Sequence, residues 1–84
     1  MTYSQAAQHN AKFGVDPLFK DPMMPDNGRN HKWVQDPSGM IGFIAYKRLD
    51  AFLVHYPIKV LQKNYRLTVK SWPNEAIKQF KEVN

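Results

Sequence analysis

The stretch DPSGMIGFIAYKRLDAFLVHYP, residues 36–57, decides which fold the sequence predicts, and it contains most of the most apolar part of the chain, residues 40–61. Its first two residues are typical of a helix start, because Asp accepts hydrogen bonds from free backbone N–H groups and Pro fits the first helical turn. At about 100° per residue, one helical face collects Ile41, Ala45, Leu49, Phe52, Leu53 and Tyr56. The pattern predicts a helix from residue 37 to Tyr56, with further apolar residues such as Phe43 and Val54 on its other faces.

Pro57 must interrupt this helix, and a second helix is predicted over residues 58–71. Its apolar residues recur at steps of 3, 4, 4 and 3, and they are Ile58, Leu61, Tyr65, Val69 and Trp72. A separate face carries a basic stripe with steps of 4, 3 and 4, formed by Lys59, Lys63, Arg66 and Lys70. Because like charges at this spacing repel one another, the basic stripe predicts contact with an acidic surface.

Shorter helices are predicted at both ends of the chain. In residues 1–14, Thr2 or Ser4 can cap a helix and Gly14 can end it. Towards the C-terminus, Pro73 fits the first position of a last helix. The apolar face of that helix is predicted to consist of Ala76, Ile77, Phe80 and Val83.

Residues 15–36 show neither helical nor strand periodicity. This stretch is rich in Pro, and its Asp-Pro steps favour extended backbone and turns. Its Met and Trp side chains suit irregular grooves and large contact areas. We therefore predict an extended arm that docks on a partner protein, with contacts from Met23, Met24, Arg29 and Trp33.

Together these patterns predict an all-α, non-compact chain. A short N-terminal helix in residues 1–14 leads into the extended arm of residues 15–36. Residues 37–84 are predicted to form two to three helices, with kinks at Pro57 and Pro73.

The net charge of +5 comes entirely from the second half of the chain. Residues 43–84 carry eight basic and three acidic residues, whereas residues 1–42 carry four of each. A basic half of this kind favours an acidic partner, which can be a protein surface, anionic lipid headgroups or nucleic acid.

Several classes of protein are not supported by the sequence. The chain has no Cys and therefore no thiolate metal site, and its three His are 22 and 24 residues apart, which matches no local metal spacing. No segment reaches the roughly 20 apolar residues of a membrane span, and no signal or transit peptide is visible. Enzyme motifs are absent, so we predict a non-catalytic protein without metal or cofactor.

One local motif resembles a known family. The residues DNGRNHKW, from Asp26 to Trp33, are similar to an Asp-x-x-Gly-Arg-Asn-x-x-Trp element in a small accessory subunit of the membrane arm of mitochondrial respiratory complex I, with one residue fewer between Asp and Gly. That family has a transmembrane helix soon after the motif, where this chain has charged residues. The resemblance implies a non-catalytic subunit whose residues Gly28, Arg29, Asn30 and Trp33 lie at a subunit contact.

The sequence therefore predicts an accessory, structural subunit that bridges neighbouring proteins in a large assembly. The expected host is a respiratory-chain complex, with the chain peripheral to the mitochondrial inner membrane. The alternative is a small basic RNA-associated protein such as a ribosomal subunit, because the basic stripe also suits a phosphate backbone.

Overall fold

In the computed structural model, residues 1–19, 31–59 and 69–83 are described. They form one α-helix, five short β-strands and one 3₁₀ helix. The elements are α1 (Tyr3–Ala11), β1 (Trp33–Gln35), β2 (Ile41–Lys47), β3 (Ala51–His55), β4 (Val69–Pro73), the 3₁₀ helix (Asn74–Gln79) and β5 (Lys81–Val83).

The predicted all-α, non-compact fold is wrong. The stretch of residues 36–57 forms the two central strands of a sheet instead of a helix, and the described structure measures only 30 × 29 × 23 Å. β-Branched and aromatic side chains suit the two faces of a sheet. In a helix Phe43 and Val54 would have lain outside the main apolar face, whereas in the sheet both are buried.

The five strands form one antiparallel sheet in the order β4-β3-β2-β1-β5. The first four strands follow one another as neighbours, and β5 returns to pair with β1, where Val83 lies opposite Trp33. The register between β2 and β3 shifts between Ile44 and Tyr46. Such a bulge increases the local twist of a strand and bends it.

The sheet has a separate apolar cluster on each face, because successive side chains of a strand point to opposite sides. The first cluster, the helix-side core, lies under α1 and consists of Tyr3, Ala6, Trp33, Ile41 and Phe43. The second, the far-side core, consists of Phe52, Val54, Tyr56 and Ala76, with Met40, Ile44, Ile58, Trp72 and Phe80 packed against it. Each core combines side chains from elements that are distant from one another in the sequence.

The predicted N-terminal helix is confirmed, although it is shorter than residues 1–14. Thr2 is the N-cap: its hydroxyl accepts from the backbone N–H of Gln5, whose side chain accepts from the N–H of Thr2 in return. After Ala11 the chain turns through Gly14 at a φ of 81°. This positive φ suits Gly because it lacks a Cβ atom.

The predicted cap at Asp36 starts a turn rather than a helix. Its Oδ1 accepts hydrogen bonds from the backbone N–H groups of Ser38 (2.9 Å) and Met40 (3.0 Å). Gly39 completes the turn at a φ of 101°. The Asp-Pro step therefore connects β1 to β2.

The two predicted helix kinks also have other roles. Pro57 follows β3, and Pro73 is the last residue of β4, so the predicted helix of residues 58–71 is wrong at its C-terminal end. Residues 60–68 of that helix lie outside the described residues. The predicted last helix is reduced to the six-residue 3₁₀ helix Asn74–Gln79, and Val83 belongs to β5.

Gly42 permits the close packing of β2 on the far-side core. A Cβ atom at this position would lie 2.6 Å from the carbonyl oxygen of His55 and 2.7 Å from Cγ1 of Val54. Both distances are too short for real contacts, and one of the two atoms belongs to a strand backbone. We expect Gly42→Ala to lower the free energy of unfolding by about 1–3 kcal/mol through overpacking, as measured by urea unfolding.

The matched control for this change is Ala45→Ser on the same strand. Ala45 is exposed, so its replacement is expected to change stability by less than about 0.5 kcal/mol. Equal unfolding midpoints for Gly42→Ala and the parent chain would contradict the close packing at Gly42.

Candidate docking groove

A groove with a volume of about 640 Å³ opens on the face of the sheet opposite α1. Its walls come from β1, β2, β5 and the 3₁₀ helix, with Lys32 just before β1. The lining residues are Lys32, Val34, Ile44, Ala45, Tyr46, Lys47, Ile77, Phe80 and Glu82. This volume lies within the range of roughly 300–1,000 Å³ that is usual for binding pockets.

The groove is apolar at its floor and partly apolar at its rim. Val34 is buried, and Ile44 and Phe80 are half-buried. Two larger side chains stay accessible at the rim, since Tyr46 is 60% and Ile77 is 41% exposed. Accessible apolar side chains that share one concavity are typical of a docking surface.

The groove runs beside a part of β2 that extends past β1. β1 pairs with β2 only from Ile41 to Phe43, whereas β3 pairs with β2 as far as Lys47. Within residues 1–19, 31–59 and 69–83, no strand lies along the outer edge of β2 from Ile44 onwards. An exposed strand edge offers backbone N–H and C=O groups to an added strand.

The charged residues of the groove are two cations and one anion. Lys32 directly precedes β1, Lys47 is the last residue of β2, and Glu82 comes from β5. All three side chains are exposed. The formal charge of the lining residues is therefore +1.

Aromatic packing fixes the wall of the groove at Phe80. The ring of Phe80 packs edge-on against Phe52, with 5.2 Å between centroids, and against Trp72, with 5.0 Å between centroids. Trp72 in turn donates its indole N–H to the hydroxyl of Tyr56 over 3.1 Å, and Tyr56 donates to Oδ2 of Asp36 over 2.8 Å. This chain of contacts links the wall of the groove to the turn at Asp36.

The Tyr56 hydroxyl has a raised pKa. Burial raises the pKa above its ordinary value of 10.0, and the hydrogen bond to Asp36 and the negative charge of that residue raise it further, while the bond from Trp72 lowers it. Above pH 10 the unfolded chain loses the Tyr56 proton while the folded chain keeps it. The contribution of this hydroxyl to the free energy of unfolding is therefore fully present below the ordinary pKa. It is lost as the pH rises towards the folded-state pKa.

We expect the urea midpoint of the parent chain to fall more steeply between pH 10 and pH 12 than that of Tyr56→Phe, which cannot ionise at this position. Tyr46→Phe is the control, because Tyr46 is 60% exposed and its loss removes no buried hydroxyl. If Tyr56→Phe and the parent chain show parallel pH profiles, the Tyr56 proton does not contribute to alkaline stability.

Trp33, one of the predicted partner contacts, is located in the helix-side core. It is 3% exposed, and its ring packs edge-on against Tyr3, His31 and Phe43. Its burial is therefore supplied by the chain itself. Met23, Met24 and Arg29 lie outside the described residues.

The basic stripe does not form along one helix. Lys59 is exposed after β3, and its backbone N–H donates to the carbonyl oxygen of Asp16 over 2.7 Å. Lys70 is exposed in β4, with its ammonium 4.4 Å from the centroid of the Trp72 ring. Lys63 and Arg66 lie outside the described residues. Contact of these cations with a partner stays a prediction.

The residues that line the groove were not predicted as site residues. Ile77 and Phe80 were predicted to share an apolar face, and both do line the groove. No local signal marked Lys32 or Lys47, because the groove forms only when β1, β2 and β5 come together. The β-branched and aromatic side chains within Ile41–Lys47 were the available indication of a strand.

Two further observations concern the polar side chains of the described residues outside the groove. Tyr3 and His55 share a buried hydrogen bond of 2.6 Å between Oη and Nε2, which joins α1 to β3. In residues 1–19, 31–59 and 69–83, no three His, Cys, Asp or Glu side chains are grouped as metal ligands.

Leu49 is the most accessible apolar side chain of the hairpin between β2 and β3. It is 99% exposed, and the side-chain amide of Asn74 donates to its carbonyl oxygen over 2.8 Å. It lies outside the lining of the groove, so it offers a control position for experiments on the groove.

None of the described helices is long and apolar enough to span a membrane. The predicted resemblance of Asp26–Trp33 to the complex I subunit stays a prediction. Comparison of the chain with protein-family models, with curated proteins and with solved structures finds no match.

Proposed function

We propose that the chain is a non-catalytic protein-binding subunit that holds an extended segment of a partner protein in the groove. The observation that carries this proposal is the position of the groove beside the outer edge of β2. There the apolar floor at Val34 and Ile44 adjoins a strand edge without a neighbour among the described strands.

An extended segment suits this site because it can contact the apolar floor and the strand edge at the same time. Its backbone can add to the edge of β2, while alternate side chains enter the groove, which is a common mode of peptide recognition. An aliphatic side chain that becomes fully buried contributes about 1.5–3 kcal/mol. Two such side chains and a few backbone hydrogen bonds are consistent with reversible association. The proposal keeps the predicted accessory role and replaces its predicted contact at Trp33 with the groove.

A randomised peptide library displayed on phage provides a test that needs no known partner. We expect peptides enriched on the parent chain to bind at least tenfold more weakly to Ala45→Trp. Ala45 is exposed and lines the groove, so a large side chain at this position fills the groove without entering a core. Leu49→Ser, outside the groove, is expected to leave binding unchanged.

Chemical-shift mapping gives an independent measurement on the same peptides. The methyl signals of Val34, Ile44 and Ile77 are expected to move on binding, whereas that of Ala6, in the helix-side core, is not. Failure to enrich any peptide, or enriched peptides that bind Ala45→Trp as tightly as the parent chain, would overturn the proposal. Circular dichroism of Ala45→Trp verifies that the variant is folded.

A further inference from the structure

We infer that the segment held by the groove is aliphatic at its centre and acidic at its ends, with carboxylates placed against Lys32 and Lys47. This inference rests on the proposed function and names the class of partner that the groove selects. It is carried by the distribution of charge and of apolar surface around the groove.

The two cations border the groove from separate segments of the chain. Lys32 directly precedes β1, and Lys47 is the last residue of β2. Both lysines are exposed and line the groove. Glu82, which provides the single carboxylate among the lining residues, is exposed as well. A carboxylate of the bound segment next to either Lys gains a favourable charge interaction, whereas a Lys or Arg there is repelled.

The floor of the groove selects for aliphatic side chains. Val34, Ile44 and Ala45 provide aliphatic surface, and the Phe80 ring is engaged edge-on by its neighbours Phe52 and Trp72. In an extended segment every second side chain faces the same way. Two aliphatic residues separated by one residue would therefore both enter the groove.

A nucleic acid is less well suited to this lining than a peptide. Single-stranded nucleic acids need several aromatic rings on which bases can stack, and Tyr46 is the one strongly exposed ring among the lining residues. A nucleic acid also carries a phosphate at every nucleotide, including next to Glu82, whereas a peptide can carry carboxylates only opposite Lys32 and Lys47. The chemistry of the groove thus favours an acidic, aliphatic peptide.

Fluorescence anisotropy with three defined probes tests the inference. The first probe is a ten-residue peptide that alternates Ile and Thr at its centre and carries Glu at both ends. The second has Lys in place of each Glu, and the third is a ten-nucleotide poly-U RNA. We expect the parent chain to bind the acidic peptide at least tenfold more tightly than the basic peptide, and not to bind the RNA at physiological salt.

Charge reversal at the groove is expected to invert this preference. The double variant Lys32→Glu/Lys47→Glu should bind the acidic peptide at least tenfold more weakly than the parent chain does and should prefer the basic peptide. The matched control is Lys12→Glu/Lys59→Glu, which changes the net charge equally at exposed positions outside the groove. It is expected to retain the preference for the acidic peptide.

The outcomes separate the inference from the proposed function. Equal binding of the acidic and basic peptides, with shifts at Val34 and Ile44, would overturn the inference and leave the groove as a peptide site. A control variant that loses the preference as fully as the groove variant would overturn it as well, since only the net charge would then matter. Tighter binding of the RNA than of either peptide would overturn both the inference and the proposed function.

Discussion

Replacing Trp33 by Ala is expected to lower the free energy of unfolding of the isolated chain by about 3–5 kcal/mol, the usual cost of deleting a large buried aromatic side chain. Trp33 is 3% exposed. Its ring centroid lies 5.4 Å from that of Phe43 and 6.0 Å from that of Tyr3, both in edge-on geometry. Removing the indole leaves a cavity between α1 and the sheet. Urea unfolding followed by circular dichroism measures the effect.

Two further variants make this measurement specific. Trp33→Phe keeps one ring and is expected to cost less than Trp33→Ala. Leu49→Ala removes an apolar side chain that is 99% exposed and is expected to change stability by less than about 0.5 kcal/mol. If Trp33→Ala unfolds at the same urea concentration as the parent chain, the indole does not support the core.

The same experiment separates two roles for this residue. The sequence predicts Trp33 as an anchor on a partner, in which case its loss weakens assembly with that partner. Replacing a core residue, in contrast, lowers the free energy of unfolding of the isolated chain itself. The edge-on contacts with Tyr3 and Phe43 favour the second role.

The elements that the sequence predicts correctly are those determined by neighbouring residues. The N-terminal helix depends on the reciprocal hydrogen bonds between Thr2 and Gln5, three positions apart. At Asp36, where the sequence predicts a helix cap, the same kind of local hydrogen bond forms a turn instead, because the carboxylate accepts from backbone groups two and four positions along the chain. Local hydrogen bonds of this kind can be predicted from one sequence.

The strands were not predicted because their pattern also fits a helix. The hairpin between β2 and β3 turns at residues 48–50, where Arg48, Leu49 and Asp50 include none of the Gly or Asn residues that usually mark a hairpin turn. Residues 36–57 also contain enough apolar side chains to form the apolar face of a helix, so the sequence alone does not exclude a helix. Pairing with distant strands decides the outcome: in the pairing of β1 with β5, Val34 lies opposite Glu82, which is 48 residues further along the chain.

The groove was beyond prediction for the same reason. Lys32 and Glu82 both line it, although they are 50 residues apart in the sequence. Only the order of the strands places β5 beside β1, so that residues of β5, of the 3₁₀ helix and of β2 line one groove. Ile77 and Phe80 of the predicted apolar face do line the groove, whereas Val83 of that face packs on the helix-side core. The partners of these side chains were not evident from their spacing.

Asn10 is expected to be nearly as important as Trp33, although it is polar. It is fully buried, and its side chain forms two hydrogen bonds with the backbone of Ile41. The amide donates to the Ile41 carbonyl oxygen over 2.8 Å, and the Ile41 N–H donates to the Asn10 Oδ1 over 2.7 Å. Asn10 thus acts as a substitute strand partner where β2 begins.

Replacing Asn10 by Ala leaves both backbone groups of Ile41 buried without a partner. Each unsatisfied group costs about 1–3 kcal/mol, so the free energy of unfolding should fall by roughly 2–6 kcal/mol. Gln8→Ala is the matched control, because Gln8 lies on the same helix and is exposed. Hydrogen exchange gives a local measurement: the Ile41 amide is expected to be protected in the parent chain and in Gln8→Ala, and to lose protection in Asn10→Ala. An Asn10→Ala chain with unchanged stability and a protected Ile41 amide would show that α1 is held to the sheet by its apolar contacts alone.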